Sequence, residues 1–372
     1  MAQLSAHAGG LQLSQIGFSA TPMGSVSDGV VNNPEAIGEA IQQILKRYNI
    51  RDRKVVCSLP GRAVVIRQVS LPAGLKEKEI KVACIGEVER FLPFPLDEME
   101  YDYQVLGEIQ SGDAAQLSVL FIAAHKEAVA RRVEAARFGG LDSVEMDIDP
   151  FVLLRSIIES GMFDDQETFT QTVFIIDMGA SATSVSIVSA GTLKFTRIFA
   201  VGGDSLTHAI ESALEVEFLE AERLKKTKGY AFLPEGQGID AQTREIYDIM
   251  QPHLETLSLE VRRSQAYYTS KYRGESVTKV VLTGGGSLLR GVGRYLEREL
   301  GAPVTHANPL ANIVYVGEDP IEQVSSLVPF MGISVGLTLR QVPARLLSRH
   351  CLRVNIEPLY EFGSTAQAGG VT

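Results

Sequence analysis

Residues 11–20, LQLSQIGFSA, alternate apolar and polar positions with the two-residue period of a half-buried strand. Asn33-Pro34 predicts a helix start, with Asn33 as the cap and Pro34 at the first helical position, and the helix runs to about Tyr48. Residues 55–59 read as a strand closed by Pro60-Gly61. The next stretch has its own rhythm. A strand at 64–69 precedes a helix at 76–92 with Ile80, Cys84, Val88 and Phe91 on one face. Strands at 101–106 and 117–124, a helix at 128–138 and a strand at 144–148 follow. This β-α-β-β-α-β order suffices for a small α+β subdomain, and strand-like and helical segments resume on both sides of it.

From residue 172 the pattern changes. Residues 173–176 are a short, fully apolar strand, 178–183 a turn of small residues, and 184–189 a second, alternating strand. Ala190-Gly191 turns the chain into a third strand at 193–198. Gly202-Gly203-Asp204 breaks the chain before a helix, with Asp204 as its expected cap. Helical patterns at 217–228 and 244–272 are separated by a polar loop at 234–242. A strand at 279–282, the turn Gly284-Gly285-Gly286 and a helix at 288–300 follow. The region after Pro329 is apolar and rich in small residues, and the final dozen residues read as frayed.

Length and charge narrow the function classes. The 372 residues suit two or three domains, and 45% hydrophobic content allows a large core. Thirty-five Lys+Arg against 45 Asp+Glu give a net charge of -10, which argues against a general nucleic-acid binder. The chain has no Trp and only 7% aromatic residues, so stacking platforms for single strands are not expected. Three dispersed cysteines and six dispersed histidines offer neither a disulfide framework nor zinc spacing. No apolar run reaches the roughly 20 residues of a membrane span, and no signal peptide is visible, so a cytoplasmic protein is expected.

Three Gly-rich turns carry the candidate chemistry. In the first, Asp177-Met178-Gly179-Ala180-Ser181, a tight turn after a carboxylate can aim backbone N–H groups at a phosphate while Asp177 holds a magnesium-bound water. An ordinary Asx turn would read the same. The second, Gly202-Gly203-Asp204, opens a helix whose dipole and free N–H groups favour an anion. The third, Gly284-Gly285-Gly286-Ser287, follows an apolar strand; one glycine is easily a packing requirement, three less easily, and close approach of an adenosine fits. Between them, Glu222 and Lys225 share a helix face and could clasp a base and ribose, or form a solvated charged face.

The order of these elements, strand–DxG–strand, GGD–helix, AExxK, strand–GGG–helix, resembles the ATPase domain shared by actin, the chaperones of its fold and the sugar kinases. Residues 71–107, LPAGLKEKEIKVACIGEVERFLPFPLDEMEYDYQVLG, are similar to the PilM family of type IV pilus assembly, with Pro93–Glu98 the most specific stretch. VVLTGGGSLLRGVGRYLERELGAPV and GISVGLTLR are similar to that family too, so the resemblance covers about residues 11–340. It implies an α/β, actin-like ATPase fold of two RNase H-like lobes with an inserted α+β subdomain of the FtsA/PilM 1C type. The first lobe is expected from 1–60, 141–170 and 325–345, the insert from 61–140, the second lobe from 171–324, and a C-terminal tail from 346–372.

The resemblance also implies ATP with Mg2+ between the lobes, and capture of the cytoplasmic tail of PilN by a scaffold held at the inner membrane through partners, other pilus assembly proteins among them. Direct membrane insertion and nucleic-acid binding are not expected, and self-association is left open. One departure stands out. MAQLSAHAGGLQLSQIGF carries no D-x-G-[ST], so the family's first phosphate-binding turn is expected upstream of Met1, and ATP binding is expected to be weakened in the chain as it stands. No catalytic residue stands out, and at most weak ATPase turnover is expected. Competing readings are an FtsA-like division protein, which should carry an amphipathic C-terminal helix that EPLYEFGSTAQAGGVT does not supply, and a small-molecule kinase, which should carry a further catalytic carboxylate.

Overall fold

The computed structural model describes residues 1–7, 10–27, 29–111, 114–159, 162–163, 170–234, 238–272, 276–317, 321–340 and 342. The expected tail, 346–372, lies outside the described residues, as does part of the 234–242 loop. In chain order the first elements are β1 (Ala2–His7), β2 (Gly10–Ile16), β3 (Val26–Ser27), β4 (Val30–Val31), α1 (Pro34–Arg47), β5 (Lys54–Leu59), β6 (Val64–Pro72), α2 (Glu77–Val88), β7 (Met99–Ser111), β8 (Ala114–His125), α3 (Lys126–Phe138), β9 (Asp142–Ile148) and α4 (Asp149–Leu154). Then follow β10 (Thr172–Met178), β11 (Thr183–Ser189), β12 (Thr192–Phe199), α5 (Gly203–Leu214), α6 (Phe218–Lys228), α7 (Ala241–Lys271), β13 (Lys279–Thr283), α8 (Val292–Leu300), β14 (Val304–His306), β15 (Ile313–Tyr315), α9 (Ile321–Leu327) and α10 (Gly332–Leu339). By internal contacts the described residues divide into two units: residues 1–16 with those of 152–342, and those of 17–151.

In the first unit, β12-β11-β10-β13-β14 form a five-stranded sheet. Its centre, β10, is antiparallel to β11 and parallel to β13. The residues Val173, Phe174, Ile175 and Ile176 are all buried, as expected for a strand covered on both faces. Phe174, Ile176 and Met178 join one core with Ile210, Leu224, Met250, Leu254 and Leu296 from the helices. A separate sheet, β1-β2-β15, packs Leu11, Leu13, Ile16 and Ile313 against Val324, Met331, Val335 and Leu339. Gly336 of α10 has the Val152 carbonyl where a Cβ would stand, so this helix can approach the chain there only as glycine.

Among the described residues the second unit holds the short β3-β4 pair and two larger sheets. One is the parallel pair β5-β9. The other is β6-β8-β7, with β8 central, and it packs Leu71, Val119, Phe121 and Ala123 against Ile80, Cys84 and Val88 of α2. Helix α2 opens where the Glu79 carboxylate accepts the Lys76 N–H at 2.7 Å, and α1 opens with Asn33 accepting the Ala36 N–H at 3.1 Å. Two expectations shift. The 76–92 helix ends as α at Val88 and continues only as a 3-10 turn, Glu89–Phe91. Strand 144–148, read both as the last strand of the β-α-β-β-α-β run and within the 141–170 stretch of the first lobe, pairs as β9 with β5 and not with the β6-β8-β7 sheet.

The end of β9 carries an acid that the sequence reading passed over. Burial pushes the Asp149 carboxyl up to about 6, against a hydrogen bond with Ser58 and the nearby Arg132 charge, which both favour ionisation; neighbouring Asp147 adds to the rise. Above its raised pKa the folded state must hold a desolvated charge that the unfolded chain ionises freely. Stability is therefore lost as pH rises from about 4 through about 6. Asp149→Asn is expected to be more stable than wild type by about 2 kcal/mol above pH 7. The two should converge near pH 3.5, as read by urea melts across that range.

Candidate functional site

The parallel register of β10 and β13 builds this site. Asp177 lies opposite Thr283, so the turns that follow the two strands emerge side by side at their carboxyl ends. In doubly wound sheets that edge is where ligands bind. A cavity of about 360 Å³ opens there, and its walls include Gly179, Ala180, Gly202, Gly203, Asp204, Glu222, Lys225, Gly285 and Gly286. This volume lies within the range of small-molecule sites.

The first turn is closed by the Gly179 N–H donating to the Ala182 carbonyl at 3.0 Å. The second turn clamps the first. The Gly203 N–H donates to the Gly179 carbonyl at 3.0 Å, and the Asp204 N–H to the Ala180 carbonyl at 2.8 Å. A Cβ on Gly202 would overlap the Ala180 carbonyl and the Ala182 amide. The helix start therefore does not offer free N–H groups to an anion, contrary to the expectation. Asp204 is not its cap either: α5 begins at Gly203, Gly202 is the N-cap, and the Gly202 N–H donates to Ser205 Oγ at 3.3 Å.

The donors that remain lie elsewhere. Among the described residues, the N–H groups of Ala180, Ser181, Gly285 and Gly286 donate to no protein acceptor. Ala180, Gly285 and Gly286 line the cavity, whereas Ser181 and Asp177 are not on its wall. The three consecutive glycines have separate causes. Gly284 has φ +82°, and the Asp177 carboxylate stands where its Cβ would be. Gly285 lies against the Phe330 ring, and Gly286 against Met178. Ser287 is buried and turned inward, its hydroxyl donating to the Gly284 carbonyl at 2.7 Å.

Glu222 and Lys225 lock to each other and to α5. Lys225 Nζ lies 2.5 Å from the Glu222 carboxylate and donates to Thr207 Oγ1 at 2.7 Å and to the Gly203 carbonyl at 2.9 Å. The Thr207 hydroxyl in turn donates to Glu222 at 2.6 Å. Lys226, 3.0 Å from Glu222, remains 70% exposed. Burial alone would raise the Glu222 carboxyl, but hydrogen bonds from Lys225 and Thr207, the Lys225 charge and a further bond from Lys226 hold it at about 2. Among the described residues no cluster of three His, Cys, Asp or Glu could hold a metal ion.

A sequence model of the type IV pilus assembly protein PilM family matches residues 1–342. The chain belongs to the PilM family. A solved PilM–PilN type IV pilus biogenesis complex is 30% identical, with a TM-score of 0.78, covering 92% of this chain and 95% of that one. The cell shape-determining protein MreB of Pasteurella multocida is 26% identical over 176 residues, 40% of this chain and 50% of MreB. The cell division protein FtsA of Streptococcus pneumoniae is 26% identical over 246 residues, 60% of this chain and 52% of FtsA. The chain thus spans about half the length of these curated relatives. The α/β fold is the actin-like ATPase fold expected from the motif order.

This PilM-family site also uses residues that the motifs did not announce. Arg290 lines the cavity, stacks 4.1 Å from the Tyr230 ring centre and donates to the Gly229 carbonyl at 3.2 Å. His253, Leu254 and Leu257 of α7 and Phe330 also line the cavity. The LLRG that follows the triple glycine offered a weak pointer to Arg290; nothing local pointed to Phe330.

The clamp has a pH signature. Glu222, held below its ordinary 4.5, contributes stability that is present above that value and lost as pH falls toward 2. Glu222→Gln is expected to be about 2 kcal/mol less stable than wild type at pH 7, with the gap closing by about pH 2, measured by thermal melts in a pH series.

Proposed function

We propose that this chain binds ATP in the cavity of its first unit and acts as a scaffold of type IV pilus assembly. The observation that carries the nucleotide reading is the set of unspent N–H groups at Ala180, Gly285 and Gly286, on two neighbouring turns that line one cavity. Such groups suit phosphate oxygens. The apolar side chains of Leu254, Leu257 and Leu289, with Arg290 nearby, suit a purine, and Glu222 suits ribose hydroxyls. ATP supplies the negative charge and the metal-binding phosphates. Asp177, as a single carboxylate, would hold Mg2+ through water, since the ion keeps several waters when phosphates are its other ligands.

The residues that would do this are Asp177, Gly179, Ala180, Ser181, Gly202, Gly203, Asp204, Glu222, Lys225, Gly284, Gly285, Gly286 and Ser287. Those whose N–H or side chain is already spent inside the protein act by shaping the turns. ATP binding is expected to add stability in proportion to the logarithm of its concentration, about 2.7 kcal/mol at a hundredfold excess over Kd, and to raise the melting temperature accordingly. Lys226→Glu should weaken ATP about tenfold and also lower the melt of the free protein slightly, since it sets a like charge beside Glu222. Absence of any ATP-dependent shift would remove the nucleotide reading.

The partner reading extends the same proposal to the inserted subdomain. The solved relative is a complex of PilM with PilN. Here Phe91 and Phe94 are 49% and 46% exposed, with Arg67 over the Phe91 ring at 5.7 Å and Phe94 against His125 at 4.5 Å. An apolar pair next to the β6-β8-β7 sheet edge suits an extended tail that pairs its backbone and buries alternate side chains. Phe91→Ala with Phe94→Ala is expected to weaken a PilN tail peptide at least tenfold by calorimetry, with ATP affinity unchanged.

A further inference from the structure

The end of α1 carries a concentration of cations in a chain that is acidic overall. Residues 46–54 hold Lys46, Arg47, Arg51, Arg53 and Lys54 against the single acid Asp52, in a protein whose net charge is -10. All five are exposed. The backbone explains why they gather at one corner. The Ile50 N–H donates to the Leu45 carbonyl at 2.9 Å and the Asn49 N–H to the Lys46 carbonyl at 3.4 Å, with Asn49 at φ +49°. This is a Schellman turn, and its apolar pair is Leu45 with Ile50, both buried. The turn ends the helix, and the Arg53 guanidinium reaches back to the Ile50 carbonyl.

Some of these cations have local duties. Lys46 and Arg47 oppose the negative end of the helix dipole, and Arg47 lies 5.4 Å from the Tyr48 ring centre. Arg53 donates to the Ile50 carbonyl at 2.9 Å and to the Asp52 carbonyl at 3.1 Å. Arg51 and Lys54 have no such duty. None of Lys46, Arg47, Arg51 and Lys54 is in an ion pair among the described residues. Asp142, whose N–H donates to the Arg53 carbonyl at 2.7 Å, is the other acid at this corner. An exposed aromatic residue adjoins it: Gly17 packs on Ile44 and Tyr48, and the next residue, Phe18, is 50% exposed.

We propose that this corner docks on an anionic lipid surface. Unpaired cations beside an exposed aromatic ring suit a charged interface, where each cation contributes about a fivefold gain in affinity and the ring sits at the headgroup level. The corner is a helix end and its turn, a convex feature that meets a flat surface without needing a groove. The remaining chain is acidic on balance, which disfavours its approach to an anionic surface.

The test is sedimentation of the full chain, without nucleotide, with vesicles of phosphatidylcholine alone or with 30% phosphatidylglycerol. Wild type is expected to pellet with the anionic vesicles, not with the neutral ones, and to be released by 0.5 M salt. The variant Lys46→Gln/Arg51→Gln/Lys54→Gln keeps Arg47 and Arg53 in place. It should bind anionic vesicles roughly a hundredfold more weakly, with an unchanged thermal melt and unchanged ATP-dependent stabilisation. Equal binding to both vesicle types, or full binding by the triple variant, overturns the proposal. Tighter binding to soluble poly-glutamate than to the anionic vesicles, lost in the same variant, also overturns it in favour of an acidic protein partner.

Discussion

The first unit is organised around two short hydrogen bonds, from the N–H groups of Gly203 and Asp204 to the carbonyls of Gly179 and Ala180. They fasten the start of α5 to the turn that leaves β10. The Thr183 hydroxyl, donating to the Val201 carbonyl at 2.7 Å, fastens the next step of the same ladder. Both sides of the contact are backbone, so a side chain at Gly202 has nowhere to go. A helix start is ordinarily an anion site because its donors are unspent. Here those donors hold the turn instead, and the amide of the same turn left unspent on the cavity wall is that of Ala180.

With α5 pinned, its first turn becomes the anchor for α6. Thr207 sits one turn into α5, gives its proton to Glu222 and receives one from Lys225, while Lys225 also reaches the Gly203 carbonyl. The charges are shielded from water on one side, which strengthens their attraction, and the surrounding hydrogen bonds offset the cost of desolvation. The cavity wall formed by α6 is therefore held by a polar network and not by apolar packing alone. The opposite wall depends on β13. Its parallel pairing with β10 aligns Thr283 with Asp177, and the glycines that follow leave room for the Asp177 carboxylate, Met178 and the Phe330 ring.

Sequence patterns carried most of this architecture, because long amphipathic segments and Gly-rich turns have strong local causes. The misreadings arose where a tertiary constraint overruled a local preference. Aspartate is a favoured N-cap, yet Gly202 caps α5 because only a residue without Cβ fits against Ala180. The helix expected from residue 288 begins at Val292, since a 3-10 turn, Gly285–Leu288, and Gly291 at φ +76° intervene. Strand 144–148 follows α3 with the spacing of a continuing subdomain, but its register with β5 takes it into another sheet. Phe330 and Asp149 left no local trace. One reaches the site only through tertiary folding, and the other titrates upward through the desolvation the fold imposes on it, with a smaller push from Asp147.

The charge distribution can be read in the same way, by asking which cations the fold already uses. At the end of α1, Lys46 and Arg47 sit where the dipole favours them, and Arg53 satisfies carbonyls that the Schellman turn leaves open. These three would be there in a protein with no partner at this face. Arg51 and Lys54 lie beyond the reach of the dipole, which fades within the last turn, and neither is paired among the described residues. In a chain of net charge -10, pairing such cations would have been easy for the fold. That they stand exposed beside Phe18 is what separates this corner from a helix end that is merely well capped.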